Sequence, residues 1–484
     1  MMEWHIVENW PVYLAVLFFL YWLSVLAVLI NDLRDPTRTL AWLTVLTFLP
    51  LLGLILYFFL GRNWKKTSRD HNLSRLNLLE QPVLDRIRKK YAPKAGQAIK
   101  QPLADRWECL VRLVLKSGGS PPLPAYDIQM FTNGKDKFDH LKKDIAKARR
   151  SINIQYFIWE HDQLTAQLCS LLKQSLSRGV QVRILNDFIG CMPYSKKELR
   201  ELSRAGARVH FDVRQIGQAN YRNHRKIAVI DEILGYTGGI NVGQEYIDGG
   251  SRYPAWRDTH LRFLGPAVAE LQRLFCRRWY RATGENLFGE QFFPQNYPSA
   301  GTMFPVQVAA TSVEDKWETA HRAHCAAISR ARKCVWIQSP YFVPDDQIYE
   351  GLINAALSDL DVRLMITGWP DKKTAWYAAH SYFEALLEAG ARVFLYNKGF
   401  MHAKTMSVDS AVLAAGTMNM DIRSLQLHKE LMVWILDASK AAEHEKIFMD
   451  DLLHCREISL EDLASLSRLE KFRNASFRLA SNLL

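Results

Sequence analysis

The second part of the chain repeats the pattern of the first, and this repeat restricts the fold more than any other feature. Val182-Arg183 recurs as Val362-Arg363, and the stretch AGARV at residues 205–209 recurs at residues 389–393. In each copy, helical stretches alternate with short β-rich runs, which is typical of a sheet covered by helices on both faces. We expect two similar α/β domains, at residues 121–300 and 301–484, each built on a mainly parallel sheet.

Two uncharged apolar runs precede the repeat, at residues 10–30 and 39–60. Each is long enough to cross a hydrocarbon core of about 30 Å. A signal peptide begins with basic residues, whereas residues 1–9 contain no Lys or Arg. Two such runs, separated by a short polar loop, favour a spanning hairpin over a pair of buried core helices. We therefore predict a transmembrane hairpin within residues 1–66, followed by a basic juxtamembrane connector at residues 67–120.

Basic residues are concentrated after the second apolar run. The loop between the runs carries Arg34 and Arg38, whereas five basic residues follow the second run: Arg62, Lys65, Lys66, Arg69 and Arg75. Because positively charged flanks stay in the cytoplasm, this asymmetry predicts a cytoplasmic location for the two α/β domains.

Composition excludes several classes of protein. Hydrophobic residues make up 48% of the chain and charged residues 23%, so it is neither disordered nor fibrous. Lys and Arg outnumber Asp and Glu by 62 to 50, and the net charge of +12 indicates an anionic partner. Nucleic acid, a phosphorylated substrate and an anionic membrane all meet that description. The seven cysteines stand singly, which argues against a disulfide framework or a zinc ribbon.

Each copy of the repeat carries the same polar motif. The pattern is H-x-K-x4-D, followed after a β-like run by a glycine turn and an asparagine. The first copy comprises His224, Lys226, Asp231 and Asn241, and the second comprises His402, Lys404, Asp409 and Asn419. One such motif would be weak evidence, but two at equivalent positions of a repeat are not a coincidence.

The spacing of the motif suits phosphoryl chemistry. In a strand, residues i and i+2 point to the same face, so the imidazole and the ammonium of each motif lie side by side. A cationic lysine is a poor neighbour for a metal ion, whereas lysine and asparagine amide groups donate well to phosphate oxygens. Two imidazoles meet the needs of a two-step displacement, in which one attacks phosphorus and the other transfers protons. We predict catalytic motifs of this kind, with phosphate held by Lys226, Lys404, Asn241 and Asn419.

Four acidic residues accompany the histidines. Asp231 and Asp409 complete the catalytic motif, but their position after the strand also fits a structural or neutralising role at a turn. A nucleophilic imidazole needs an acceptor for its second nitrogen. Asp258 and Glu430, which both precede β-like runs, are the predicted histidine-orienting residues.

This constellation resembles the phospholipase D superfamily and, within it, the bacterial cardiolipin synthases. Beyond the paired motifs, the resemblance rests on residues 61–64 (GRNW), on Trp256-x-Asp258 with Gly265-Pro266, on residues 339–344 (SPYFVP) and on residues 419–424 (NMDIRS). It implies an α/β fold with two pseudo-twofold-related domains sharing one active site. It also implies a multi-pass protein of the bacterial cytoplasmic membrane that converts two phosphatidylglycerol molecules into cardiolipin and glycerol.

The resemblance further implies a phosphatidyl-histidine intermediate, no metal and no cofactor, with family habit favouring His224 as the nucleophile. Because the two motifs are nearly identical, the sequence itself leaves the choice between His224 and His402 open. It also leaves open the acyl-chain preference, the use of phosphatidylethanolamine and the oligomeric state.

Three other functions compete with synthesis of cardiolipin. A phospholipase D would pass the same intermediate to water and release phosphatidic acid. A nuclease of the superfamily would fit the positive charge, but it has no need of a membrane hairpin, so we expect no nucleic-acid partner. A non-catalytic scaffold that binds anionic lipid would not need two intact sets of His, Lys and Asn.

Overall fold

The computed structural model describes residues 10–31, 36–57, 71–99, 103–212, 221–312 and 314–479. It divides into two compact units. The first contains Met1–Asp70 and Arg214–Tyr221, and the second contains His71–Val213 and Arg222–Leu484. The second unit, which holds both copies of the repeat, is called the catalytic body below.

The described part of the N-terminal unit contains one long apolar helix and two short ones. These are α1 (Trp10–Asn31), α2 (Pro36–Phe48) and α3 (Pro50–Leu56). In α1, the stretch Trp10–Ala27 is long and apolar enough to cross a membrane, and most of its side chains are exposed. Trp42 and Leu46 of α2 pack with Val25 of α1.

The second apolar run departs from the prediction. A continuous helix over residues 39–60 is wrong, because α2 ends at Phe48 and α3 begins at Pro50. Proline lacks a backbone N–H and disfavours helical geometry in the residue before it, which breaks the run at Leu49. The centre of the predicted loop, residues 32–35, and residues 58–70 with the basic cluster and the GRNW stretch lie outside the described residues.

The catalytic body contains nineteen strands in the part of the chain that is described. The first copy of the repeat supplies β1 (Leu123–Phe131), β2 (Ser151–Tyr156), β3 (Gln181–Asp187), β4 (Arg208–Asp212), β5 (Ile227–Ile230), β6 (Leu234–Gly238), β7 (Trp256–Arg257) and β8 (His260–Leu264). The second copy supplies β9 (Met303–Thr311), β10 (Cys334–Gln338), β11 (Phe342–Val343), β12 (Asp361–Thr367), β13 (Arg392–Tyr396), β14 (Phe400–Met401), β15 (Thr405–Val408), β16 (Val412–Gly416), β17 (Met420–Asp421), β18 (Glu430–Ile435) and β19 (Cys455–Ile458).

Fifteen of these strands form one sheet, in the order β4-β3-β2-β5-β6-β8-β1-β9-β18-β16-β15-β10-β12-β13-β19. The order on one side of the β1–β9 pair repeats on the other, so the halves are related by a pseudo-twofold axis. Leu123 of β1 is paired with Val306 of β9, and both lie in a core cluster that draws residues from the two halves.

The direction of the strands corrects the expectation of a mainly parallel sheet. Within the fifteen-stranded sheet, parallel pairing is confined to β2–β3–β4 and β10–β12–β13. The remaining neighbours are antiparallel because tight turns join β5 to β6 and β15 to β16. At these turns Asp231, Glu232, Asp409 and Ser410 all have positive φ, the geometry of a two-residue hairpin.

Helices cover both faces of the sheet. They are α4 (His71–Ala98), α5 (Leu103–Lys116), α6 (Gly134–Lys147), α7 (Gln163–Ser177), α8 (Lys197–Arg204), α9 (Glu245–Asp248), α10 (Val268–Thr283), α11 (Thr319–Arg330), α12 (Asp346–Leu357), α13 (Lys373–His380), α14 (Phe383–Glu388), α15 (Ile422–Gln426), α16 (Ala438–Leu452), α17 (Leu460–Ala464) and α18 (Arg468–Leu479). A single helical turn at Glu290–Phe292 precedes the second half.

The predicted connector is helical and packs on the catalytic body. Leu84 and Ile87 of α4 are buried in the same core cluster as Trp279 of α10. Arg88 pairs with Glu270 at 2.9 Å, so this basic residue is neutralised by the body. The described part of the connector is therefore an integral layer of the body.

Candidate active site

Each His-x-Lys motif is held by the opposite half of the catalytic body. Asn223, beside the first histidine, forms a parallel bridge with Lys429, and the His224 amide donates to the Lys429 carbonyl at 3.0 Å. In the equivalent place, β14 runs parallel to β7, and the His402 amide donates to the Arg257 carbonyl at 2.7 Å. Each histidine segment thus pairs with a segment of the opposite half. We call these two pseudo-twofold-related contacts the crossed pairings.

The crossed pairings give each histidine a carboxylate from the other half. His224 Nδ1 lies 2.9 Å from Glu430 Oε1, and His402 Nδ1 lies 2.6 Å from Asp258 Oδ2. Both carboxylates are fully buried. Because each Nδ1 is engaged by a carboxylate, the Nε2 atom of each ring is left for chemistry.

Both histidines line one cavity, which has a volume of about 580 Å³. Asn241 and Asn419 line it as well. Asn241 Oδ1 accepts the Ile158 amide at 3.3 Å, and its Nδ2 donates to the Tyr246 hydroxyl at 3.3 Å. A hydrogen bond thus fixes each end of the Asn241 amide on the first-half side of the cavity.

The two lysines are buried beside their histidines. Lys226 Nζ donates to the His224 carbonyl at 2.8 Å, and Lys404 Nζ makes the equivalent bond to the His402 carbonyl. Burial lowers the pKa of Lys226 to about 7 and that of Lys404 to about 8. A bound anion favours the charged form of both ammonium groups, so phosphate and protonated lysine stabilise each other.

Both imidazoles are neutral at neutral pH. Burial, with the charge of Lys404, lowers the pKa of His402 to about 4. Burial, with the charge of Lys226, lowers the pKa of His224 well below its usual range. A neutral imidazole is the form that serves as nucleophile or general base.

The two carboxyl groups differ in acidity. Burial raises the pKa of Glu430 to about 8. Burial also acts to raise the pKa of Asp258, but the charges of His402 and Lys404 outweigh it and hold that pKa below its ordinary value. Asp258 is therefore ionised at neutral pH, whereas Glu430 is largely protonated.

Comparison with known proteins identifies the family. The model of the "Cardiolipin synthase, PLD-like domain" matches residues 141–251 and 324–452, and the "Phospholipase_D-nuclease N-terminal" model matches residues 14–62. The cardiolipin synthase of Alkalihalophilus pseudofirmus is 33% identical, over 99% of this chain and 95% of its own length. This chain belongs to the cardiolipin synthase family.

Other family members agree with that assignment. The major cardiolipin synthase of Bacillus subtilis is 34% identical over 97% of this chain and 98% of its own length. Among solved structures, phosphatidylserine synthase of Haemophilus influenzae aligns with 78% of this chain and all of its own, at a TM-score of 0.58 and 13% identity. At this level of identity, the likeness shows a similar fold and nothing more.

The aspartates of the family motif lie away from the cavity, at the hairpin turns. Asp231 accepts the backbone amides of residues 149–151 at 2.7–3.1 Å. Asp409 accepts those of residues 332–334 at 2.7–3.1 Å and also pairs with Arg106. The cavity lining includes neither aspartate, so their contacts favour the structural alternative, and a catalytic role for them stays a prediction.

Several cavity residues were not predicted from the sequence. Arg222, Lys372, Arg423 and His428 line the cavity together with the two histidines. A signal for two of them was present, because Arg222 and His428 precede His224 and Glu430 by two residues and such positions share a strand face. In the part of the chain that is described, no three His, Cys, Asp or Glu side chains are grouped to hold a metal ion.

Proposed function

We propose that this member of the cardiolipin synthase family condenses two phosphatidylglycerol molecules into cardiolipin and glycerol. Family membership makes the chain an enzyme, a phosphatidyltransferase that forms cardiolipin. The observation that carries the proposed mechanism is the crossed arrangement, in which two neutral imidazoles with carboxylate partners face one cavity. A single phosphodiester bound there meets a nucleophile and a proton donor at once.

In the first step, His224 Nε2 attacks the phosphorus of one phosphatidylglycerol. The bond from phosphorus to the glycerol oxygen breaks, and His402 delivers a proton to that oxygen. The charge of the bound diester raises the pKa of His402, and ionised Asp258 stabilises the imidazolium. Glycerol leaves, and the phosphatidyl group remains on His224.

In the second step, His402 removes a proton from the terminal hydroxyl of a second phosphatidylglycerol. That oxygen attacks phosphorus, the phosphorus–nitrogen bond breaks, and cardiolipin is released. Lys226, Lys404, Asn241 and Asn419 hold the nonbridging oxygens throughout. Because one phosphodiester replaces another, we expect no requirement for a nucleotide, metal or other cofactor.

The chain is a membrane-associated protein with an N-terminal apolar helix. We place it in the bacterial cytoplasmic membrane as a multi-pass protein with its catalytic body in the cytoplasm. The support is the basic stretch after residue 60 in the sequence. The proposed domains are the hairpin (1–66), the connector (67–120) and the two phospholipase D-like domains (121–300 and 301–484).

The test uses purified full-length protein in vesicles of phosphatidylglycerol, without added metal or nucleotide. Cardiolipin and glycerol should appear in equal amounts, and both should be lost in His224→Ala and His402→Ala. His454→Ala is the matched control, because His454 is exposed and does not line the cavity. Phosphatidic acid without cardiolipin would instead indicate a hydrolase, and no conversion at all would favour a scaffold.

A further inference from the structure

The pseudo-twofold axis relates the catalytic motifs closely but not the residues next to them. Arg222 stands two positions before His224, and His428 stands two positions before its carboxylate partner Glu430. At the equivalent positions of the other pair, Phe400 precedes His402 and Trp256 precedes Asp258. The same crossed pairings bring the members of each set together, because the Lys429 amide donates to the Arg222 carbonyl at 2.8 Å and Phe400 is registered with Trp256. One end of the cavity is thus cationic where the equivalent end is aromatic.

We propose that Arg222, Arg423 and His428 bind the phosphate of the acceptor phosphatidylglycerol. The inference rests on the proposed function, since that reaction brings two phosphodiesters into one cavity. In the proposed mechanism, the paired Lys and Asn residues hold the phosphate that reacts. The second phosphate keeps all its bonds, and its negative charge needs a separate site.

Backbone hydrogen bonds hold this site together. The His428 amide donates to the Arg423 carbonyl at 2.8 Å, which turns the chain back on helix α15. The next residue, Lys429, is bonded to Arg222 as described above. All three side chains line the cavity that contains His224 and His402.

The His428 ring lies beside the nucleophile, with both of its nitrogens buried. Its centroid lies 6.0 Å from that of His224. Neither of its ring nitrogens has a hydrogen-bond partner among the described residues, and Nδ1 is 3.9 Å from Glu430 Oε1. A buried polar ring without a partner is costly, and a phosphate oxygen in the cavity would satisfy it.

Like charges are crowded at this end of the cavity. Burial and the charge of Arg222 lower the pKa of Arg423. Burial, with the charges of Arg423, Arg222 and Lys372, lowers the pKa of His428 well below its usual range. A bound phosphate would relieve this repulsion.

Besides Glu430, the carboxylates near the cluster include Asp421 and Asp371, which line the cavity, and Asp187, which lies near Arg222. Each of these last three carboxylates is engaged. Asp421 caps helix α15 by accepting the Ser424 amide at 2.8 Å. Asp371 accepts the Tyr341 hydroxyl at 2.6 Å. Asp187 accepts the amides of Gly190 and Asn223. Because these carboxylates accept hydrogen bonds from other groups, they position the loops around the cluster and do not make it acidic.

The twofold-equivalent end offers no such site. The rings of Trp256 and Phe400 are 4.8 Å apart, and Tyr253 packs on Phe400 at 4.8 Å. An aromatic wall stabilises apolar groups rather than a phosphate. The acceptor phosphate is therefore expected on the side of the cavity next to His224.

This site would favour transfer over hydrolysis. Water and small alcohols have no phosphate, so they gain nothing from Arg222, Arg423 or His428. Acceptor phosphatidylglycerol gains a second anchor, which keeps its hydroxyl near the phosphatidyl-histidine.

The test measures how the intermediate partitions among acceptors. Full-length protein is given phosphatidylglycerol vesicles with 1-butanol, and cardiolipin, phosphatidylbutanol, phosphatidic acid and glycerol are quantified. In Arg222→Gln and Arg423→Gln, the ratio of cardiolipin to phosphatidylbutanol should fall at least tenfold, and glycerol release should fall less than cardiolipin formation. Arg222→Lys and Arg423→Lys, which retain the charge, should recover part of the ratio.

Arg392→Gln is the matched control. Arg392 is exposed, and it pairs at 2.7 Å with Glu457 of the edge strand β19. If both Arg→Gln variants keep the wild-type ratio, or lose all products in parallel, the acceptor site is overturned while the proposed function stands. If the wild-type protein itself makes no cardiolipin, the proposed function fails and the site with it. Thermal unfolding of each variant shows whether parallel losses come from misfolding.

Discussion

The two halves of the catalytic body use one frame to create two different carboxylate environments. In the first half Gly239 lies against Asp258, and a Cβ atom there would be 2.0 Å from Asp258 Oδ1. In the second half Thr417 takes that place, and its hydroxyl donates to Glu430 Oε2 at 2.5 Å. The Asp258 side chain needs the room that Gly239 leaves, whereas the longer Glu430 side chain is held by the Thr417 hydroxyl. The pKa values of the two partners also differ, because burial raises that of Glu430 while His402 and Lys404 lower that of Asp258.

The largest effect is expected from Asp258→Asn. Asp258 is ionised, and it supports the positive charge that His402 carries during proton transfer. The amide removes that support and can stabilise the wrong tautomer of the ring, so cardiolipin formation should fall about 10³-fold or more. Steady-state rates in phosphatidylglycerol vesicles measure the loss. A variant that keeps more than a tenth of the wild-type rate would contradict the role given to Asp258.

Glu430→Gln should have a smaller effect that depends on pH. Because the pKa of Glu430 is raised to about 8, its carboxylate forms only as the pH rises through that value. Ionised Glu430 draws the proton to His224 Nδ1 and frees Nε2 to attack. Loss of charge from Lys226 and Lys404 at high pH affects both proteins alike, so the ratio of wild-type to variant glycerol release should rise from near one at pH 6 to about tenfold at pH 9. Parallel pH profiles for the two proteins would be the contrary result.

The smallest effects on rate are expected at the hairpin turns. Asp231→Ala and Asp409→Ala each remove the charged acceptor of three backbone amides, and each should lower the free energy of unfolding by about 1–3 kcal/mol. Asp409→Ala should cost more, because it also leaves Arg106 without its ion pair. Chemical denaturation measures the stability, and the rate per folded molecule should stay near that of the wild-type protein. A stable variant with no activity would restore the catalytic interpretation of these aspartates.

The chemistry of the site could be predicted from the sequence because the same motif occurs in both copies of the repeat. Paired motifs at equivalent places in a repeat identified both histidines and both lysines. The need for an acceptor at each second ring nitrogen pointed to Asp258 and Glu430, which the structure places against the rings. These inferences depend on residue type and short spacing, which a sequence displays directly.

Features that depend on long-range packing were not predictable in the same way. Alternating helices and strands suggested a parallel sheet, but the turns at Asp231 and Asp409 reverse the chain and create antiparallel pairs. The crossing of each histidine to the opposite half joins residues 206 positions apart in one case and 144 in the other. Their positions two residues before His224 and Glu430 mark Arg222 and His428 singly, but only the crossing brings the two residues to one site.

The crossed pairing also governs when the chain becomes reactive during its synthesis. Glu430 follows His224 by 206 residues, which a ribosome adds in about 10–40 s at ~5–20 residues per second. Until then the first histidine lacks its carboxylate, whereas Asp258 gains its ring earlier, when His402 is added. We therefore expect a nascent chain that lacks the second half to be unable to transfer a phosphatidyl group. Activity should arise only once both halves of the catalytic body have been synthesised.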